Sequence, residues 1–344
     1  MEKVVITDQA ANALMQTLDH GQFTSIAILV DENTHIHCYP LIKHHLPEHT
    51  LIQIKSGEIH KNIETCISIW NVLTEQSFDR QGLLINLGGG VIGDMGGFCA
   101  RTYKRGIAFI NVPTTLLAQV DASVGGKLGI DFEHLKNHIG LFSEPDQVII
   151  DPVFLKTLPD NELRSGYAEV IKHHLIADGK GWDRMKNSHF EEMNWKEVIE
   201  HSVKMKYGVA QKDPTEKGLR KILNFGHTVG HAVESYLMQE GRAILHGEAV
   251  AVGMVAEAYI SNTRDLISAG DLTDIQGYIQ GLYPKAKLSA RDIEAIGKYA
   301  VQDKKNKGKR ILAALLNGVG NAVWDIEISG KEIDQSLRYY VDQT

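Results

Sequence analysis

Along the first 150 residues or so, short apolar runs alternate with longer stretches of mixed polarity. Val4–Thr7, Ser25–Asp31, Leu51–Lys55, Gly82–Leu87, Ala108–Val112 and Gln147–Asp151 read as strands. Several are almost uninterrupted hydrocarbon, such as Ile28-Leu29-Val30 and Leu83-Leu84-Ile85. Parallel strands covered on both faces read this way. Their alternation with helical stretches predicts a doubly wound, Rossmann-like α/β domain. After Pro152 the spacing becomes helical. Pro159-Asp160 reads as a helix start, with Asp160 at the N-cap or in the first turn and Glu162 close behind. Helical spacing follows over Val198–Tyr207, Leu219–Met238, Gly247–Ser261, Arg291–Val301 and Glu332–Val341. One β-type interruption, Arg310–Leu315 with Ala322–Ile326, predicts a hairpin around Asn317-Gly318. The expected organisation is an α/β nucleotide-binding domain over 1–155 and a mainly α-helical domain over 156–344.

Composition narrows the class. The chain of 344 residues is 43% hydrophobic and 23% charged, ordinary values for a globular protein. No run approaches the roughly 18 apolar residues of a membrane span, and the first residues lack a secretory pattern. Cys38, Cys66 and Cys99 have no CxxC spacing and read as reduced, buried thiols of a cytoplasmic protein. The formal charge is −7, with one short basic cluster at Lys304–Arg310. A nucleic-acid partner is therefore not expected, because phosphate-backbone binding needs a basic surface. Any anionic ligand must be met by a few local cations.

Candidate chemistry falls in three groups. The first is glycine-rich. Leu83–Asp94 runs a buried strand into Gly88, Gly89 and Gly90, followed by Val91, Ile92, Gly93 and Asp94. Such a turn lets backbone approach a ligand and presents helix N–H groups to phosphate. The spacing is not GxGxxG, so tight strand-to-helix packing explains the glycines equally well. Thr114 and Thr115 end a second strand and would face the same crevice, and Asp31 ends a third. A carboxylate there suits ribose hydroxyls, and a loop acid is the alternative. The second group is His227 and His231, four apart on one helix face. His246, Glu169 and Lys172 are the other candidates of this group. Two imidazoles and a carboxylate with an open position make a catalytic zinc site, although sixteen histidines make a chance pair unsurprising. The third group is cationic: Lys104, Arg105, Lys127, Lys136, Lys172, Arg220 and the Asp303-Lys304-Lys305 stretch, each by default a solvated residue.

Several strings together resemble the 3-dehydroquinate synthase family: GGGVIGDMGGFCARTYKR over Gly88–Arg105, PTTLLAQVDASVGGKLG over Pro113–Gly129, Lys136–Gly140, LPDNELRSGYAEVIK over Leu158–Lys172, Leu223–Glu234, Leu245–Glu248 and Asp303–Lys305. The resemblance runs from about Ser56 to the last helix. It implies zinc, replaceable by cobalt, on Glu169, His227 and His246, with His231 as a catalytic group instead of a ligand. It implies NAD+ on Gly90–Asp94, Thr114 and Thr115. Further cofactor contacts would come from Ser56, Gly57, Glu58, Lys61, Lys127, Lys136 and the Phe154-Leu155-Lys156-Thr157 turn. Substrate contacts would be Arg105, Asp121, Lys127, Lys136, Asn137, Lys172, Arg220, Asn224 and Lys305 or its neighbour Lys304. The implied reaction converts 3-deoxy-D-arabino-heptulosonate 7-phosphate, a sugar phosphate, to 3-dehydroquinate and phosphate, the second step of the shikimate pathway. It proceeds by transient oxidation, phosphate elimination, re-reduction, ring opening and aldol closure. A homodimer is also implied. Valiolone-type and 2-deoxy-scyllo-inosose synthases are rivals on the same architecture. Asn224 and the lysine of Asp303-Lys304-Lys305 favour a carboxylated substrate over the valiolone type. Glycerol dehydrogenase-type enzymes share a GGG turn but lack the Asp121–Lys127 string.

Overall fold

The computed structural model describes residues 3–133, 135–302 and 310–342. The chain forms two compact units. The first comprises residues 1–163 and takes back residues 194–207; the second comprises 164–193 and 208–344.

The first unit holds strands β1 (Val4–Ile6), β2 (Ile26–Asp31), β3 (Thr50–Ile54), β4 (Leu83–Gly88), β5 (Ala108–Pro113), β6 (Lys127–Phe132), β7 (Leu135–Phe142) and β8 (Gln147–Ile150). Its helices are α1 (Ala10–His20), α2 (Glu32–His37), α3 (Ile63–Glu75) and α4 (Gly90–Thr102). Six strands form one parallel sheet in the order β1-β8-β5-β4-β2-β3. Alternation along β2 shows why both faces are covered. Ala27 and Leu29 join a core with Cys66, Ile69, Met95 and Phe98 from α3 and α4, whereas Ile28 and Val30 join Leu14, Cys38 and Ile42 on the other side. The doubly wound expectation holds because every other residue of a strand faces the opposite way. The strand pattern did not reveal the β6–β7 hairpin, whose residues pair antiparallel and whose second strand is almost wholly exposed. Cys38, Cys66 and Cys99 are free and buried; burial and the nearby Asp31 charge push the Cys38 thiol up to about 12.

The second unit holds α5 (Asp160–Ala177) from its fifth residue onward, α6 (Gly179–Met185), α8 (His227–Gln239), α9 (His246–Thr263), α10 (Ala269–Leu282), α11 (Ala290–Gln302) and α12 (Gly330–Asp342). Helix α7 (Trp195–Lys212) belongs to the first unit through Tyr207 and to the second beyond it. The expected hairpin is present as β9 (Ile311–Leu316) and β10 (Ala322–Ile328), closed by the Asn317 N–H on Asn321 O at 2.9 Å. Helix α9 is buried on all sides, from Gly247 through Ser261, so its apolar residues show no single stripe. The helical reading of Leu219–Met238 needs correction. Leu219–Asn224 is a tight 3-10 turn, Phe225 leaves helical geometry at ψ 132°, and Gly226 is left-handed at φ 79°. Helix α8 therefore begins at His227. No described helix is long and apolar enough to cross a membrane.

Asp292 ties α11 to α8. It accepts from the Ser289 amide at 2.8 Å, the Tyr236 hydroxyl at 2.7 Å and Arg242 Nη2 at 2.8 Å. Burial works to raise its pKa, but the Ser289 amide, the Tyr236 hydroxyl and the Arg242 guanidinium outweigh it and hold the group well below the usual range. A carboxylate with a lowered folded pKa adds stability above its unfolded pKa, about 4, and that stability is lost as pH falls below it. Asp292→Asn should therefore unfold at lower temperature near pH 7 and show a shallower loss of melting temperature between about pH 4 and pH 2. Calorimetric scans across that window check it; an unchanged slope would contradict the assignment.

Candidate active site

Strands β2 and β4 are neighbours, yet the chain leaves β2 toward β3 on one side and leaves β4 toward β5 on the other. Such a reversal opens a crevice beyond the strand C-termini of a parallel sheet. Asp31 ends β2, Gly88 ends β4, and Pro113 lies opposite Gly88 at the end of β5. The Thr114 N–H donates to Gly88 O at 3.1 Å, and a Cβ at Gly89 would stand 3.0 Å from Thr115 Cγ2. The two loops thus touch, as their sequences suggested. Gly89 caps α4 without a side-chain bond, which leaves first-turn N–H groups for a phosphate. This glycine cradle with an uncapped helix end fits a dinucleotide. Asp31 is partly committed: its Oδ1 accepts from Thr34 N at 2.8 Å and caps α2. Ile92, Phe154 and Leu155 are buried in hydrocarbon, so a ligand would meet their backbone only. Ser56 donates to Glu32, Gly57 lies at φ 105°, and Glu58 opens a 3-10 turn. Lys156 and Thr157 close another.

Lys61 is buried, and it bridges Asp94 Oδ2 at 2.6 Å and Asn137 Oδ1 at 2.7 Å. Burial acts to lower its pKa, but the Asp94 charge, with Glu58 and Asp131, raises it. One ammonium thereby ties the turn after β3, helix α4 and the β6–β7 hairpin. Lys127 and Lys136 are exposed on that hairpin. Asp121 lies in a π-helical turn, Ala118–Ala122. Its Oδ1 forms an ion pair with the Lys206 ammonium at 2.8 Å, and its carbonyl accepts a hydrogen bond from the same ammonium. Lys206 escaped the sequence reading. A lysine on a polar-looking helix carries no mark; only its burial singles it out. Arg105 is placed differently from the others. It follows α4 and precedes β5, and its neighbour Lys104 donates to Phe78 O at 2.6 Å. That is the edge where the strands begin, a helix length away from Gly88, about 20 Å.

In the second unit Glu169 and Lys172 lie one turn apart on α5 and form a buried ion pair. His227 and His246 are the first residues of α8 and α9. Their Nε2 atoms stand 3.5 Å and 3.8 Å from a single atom, Glu169 Oε1. His227 Nδ1 lies 3.1 Å from Phe225 O, a carbonyl that can only accept. Nδ1 thus carries a proton, and Nε2 is the ring nitrogen that faces Glu169. His246 Nδ1 lies 3.6 Å from Glu234 Oε2. Burial opposes its charge, but Glu169 and Glu234 push its pKa up to about 9. His231 sits one turn along α8, with ring centroids 5.0 Å from His227 and 5.7 Å from His246. Among the described residues, His227, His231 and His246 form a group whose ligand atoms lie within 4.8 Å of one another. Two imidazoles with oriented second nitrogens and a carboxylate suit Zn2+ or Co2+. Asn224 donates to Glu216 Oε1 at 2.8 Å, and Arg220 is buried with Nη1 on Pro214 O at 3.0 Å. Lys304 and Lys305 lie outside the described residues.

Close helix packing brings these groups together. A Cβ at Gly247 would lie 2.0 Å from Ser165 O, and one at Gly253 would lie 1.9 Å from Gly226 O. No side chain fits either contact. Gly253→Ala should therefore cost about 3 kcal/mol and weaken metal binding, read by denaturant unfolding and elemental analysis. Wild-type stability would contradict this packing.

The fold is that of the sugar phosphate cyclases. It matches 2-epi-5-epi-valiolone synthase from Streptomyces hygroscopicus, solved with NAD+ and Zn2+, at TM-score 0.87 and 24% identity over 99% of this chain and 97% of that one. It also matches 2-deoxy-scyllo-inosose synthase, solved with carbaglucose-6-phosphate, NAD+ and Co2+, at TM-score 0.83 and 23% identity over 98% and 96%. Residues 51–165 match the 3-dehydroquinate synthase N-terminal family model and residues 166–306 the C-terminal one. A 3-dehydroquinate synthase from Parabacteroides distasonis is 39% identical over 98% of both chains. The chain belongs to the 3-dehydroquinate synthase family.

Proposed function

We propose that this chain converts 3-deoxy-D-arabino-heptulosonate 7-phosphate to 3-dehydroquinate and phosphate. NAD+ would occupy the crevice at Gly89–Asp94, Thr114 and Thr115, and Zn2+ or Co2+ would bind Glu169, His227 and His246. The observation that carries this reading is the approach of two imidazole Nε2 atoms to one buried carboxylate oxygen, in a chain of this family. When bound, NAD+ accepts and returns a hydride while the metal polarises substrate oxygens.

The chain's own residues bind, orient and move protons. First-turn N–H groups of α4 receive the diphosphate. Phe225 O and Glu234 hold the ligand histidines in their metal-binding tautomer. His231 exchanges a proton at its imidazole during elimination and ring opening. Lys127, Lys136, Lys172, Arg220 and either Lys304 or Lys305 would meet phosphate and carboxylate, and preorganised cations stabilise the developing enolate charge. Glu216 orients the Asn224 amide, and Lys206 fixes Asp121. We place the protein in the cytoplasm as a homodimer. Phe132, Leu135, Ile139 and Phe142 on the β6–β7 hairpin expose apolar side chains, which supports an interface there. Because Arg105 lies at the far edge of its own sheet, it would reach a substrate only from a second copy.

The pure protein with zinc, NAD+ and the heptulosonate phosphate should release phosphate and dehydroquinate in equal amounts, with no net NADH. Phosphate release from sedoheptulose 7-phosphate alone would favour a valiolone-type enzyme. NADH accumulation from a simple polyol would favour a dehydrogenase. His227→Ala should lose zinc, whereas His231→Ala should keep it and turn over about 10²–10⁴-fold more slowly. Equal zinc loss in both, by elemental analysis, would sink the division of roles.

A further inference from the structure

Helix α8 carries His227 at its first position, yet nothing in its own sequence caps it. Gly226 is the N-cap and has no side chain to accept from the first turn. Nor could a serine, aspartate or asparagine take its place. The residue is left-handed at φ 79°, and a Cβ there would meet Met254 Cγ at 2.6 Å, with Met254 N and Val250 O both at 3.2 Å. The close crossing of α9 that brings the two helix starts together thus excludes a cap from α8 itself. A helix end buried without partners is costly, because each unsatisfied N–H loses its water.

The missing cap comes from the helix that excludes it. Glu257, in the middle of α9, has no solvent exposure. Its Oε2 accepts from Gly226 N at 2.6 Å and its Oε1 from Val229 N at 3.0 Å. In an ordinary capping box the N-cap side chain takes the third-residue N–H, and a glutamate at that third position takes the N-cap N–H. Here one carboxylate from a neighbouring helix takes both. Its charge also lies at the positive end of the α8 dipole. The two bonds bracket His227, one residue before it and two residues after.

We propose that Glu257 is a positioning residue for the metal site: it clamps the first turn of α8 so that His227 Nε2 meets Glu169. This rests on the assignment of His227 as a ligand, and goes beyond it to what holds the ligand in place. Glutamine has the same shape, but one of its two ends is a donor and would oppose an N–H. Glu257→Asp keeps the charge and is one methylene short.

In the zinc-loaded wild-type protein, amide exchange by NMR should protect Gly226 and Val229 as strongly as Val233 in the interior of α8. First-turn exchange rates for both would overturn the clamp, and this measurement needs no variant. Glu257→Gln should bind zinc about 10–100-fold more weakly in chelator competition and alter the visible spectrum of the cobalt form. Glu257→Asp should fall between Gln and wild type, and it carries the comparison if the Gln variant does not fold. Tyr236→Phe, at the other end of α8, should lower the melting temperature with zinc affinity unchanged. Wild-type affinity and cobalt spectrum in folded Glu257 variants would overturn the proposal, as would equal weakening in Tyr236→Phe. Retention of zinc by His227→Ala would instead overturn the ligand assignment, which separates the two failures.

Discussion

Backbone touches backbone where α5, α8 and α9 meet, and the second unit is organised by that closeness. Gly247 against Ser165 O and Gly253 against Gly226 O leave no room for a methyl group. Only at such separations can two histidines at helix starts bring their Nε2 atoms within 4 Å of one carboxylate oxygen in mid-helix. The same contact forbids α8 a cap of its own. It places the carboxylate of Glu257 where a cap is needed. Packing, capping and ligand geometry are one constraint seen three ways.

The first unit solves a different problem. Its sheet is covered by hydrocarbon on both faces, and the glycine turn, Thr114 and Asp31 lie at the edge where β2, β4 and β5 end. That edge is held by two buried lysines, each paired with a half-buried carboxylate. Lys61 joins Asp94 and Asn137, and Lys206 joins Asp121. Pairing is what permits burial, since an isolated ammonium or carboxylate in such surroundings would give up its charge. A lysine fixed by a carboxylate also presents a defined geometry, which a solvated lysine does not.

Much of this was legible from residue order. The six parallel strands fell within a residue or two of expectation, because β2 and β4 are apolar on both faces and too short, between their turns, for a buried helix. The terminal hairpin and the helices around Val198, Gly247, Arg291 and Glu332 followed from period and turn residues. The glycine turn and the histidine pair stood out because their spacing has a mechanical meaning. The β6–β7 hairpin did not stand out. It packs one strand on α4 and exposes the other, so it lacks both the continuous and the alternating signature. The break before α8 was hidden because helical spacing continues through Phe225 while the backbone does not.

Residue order alone carried the classes of element and the succession of an α/β region and a helical one, and it marked candidate groups for chemistry. These depend on local spacing, which a chain displays without folding. Which of those groups come together was set by packing between elements. It joined Lys206 to Asp121 across 85 residues and Glu257 to Gly226 across 31, and it set Arg105 at the opposite edge from the glycine turn. Burial and approach across such gaps arise from packing between elements, and no local pattern records them.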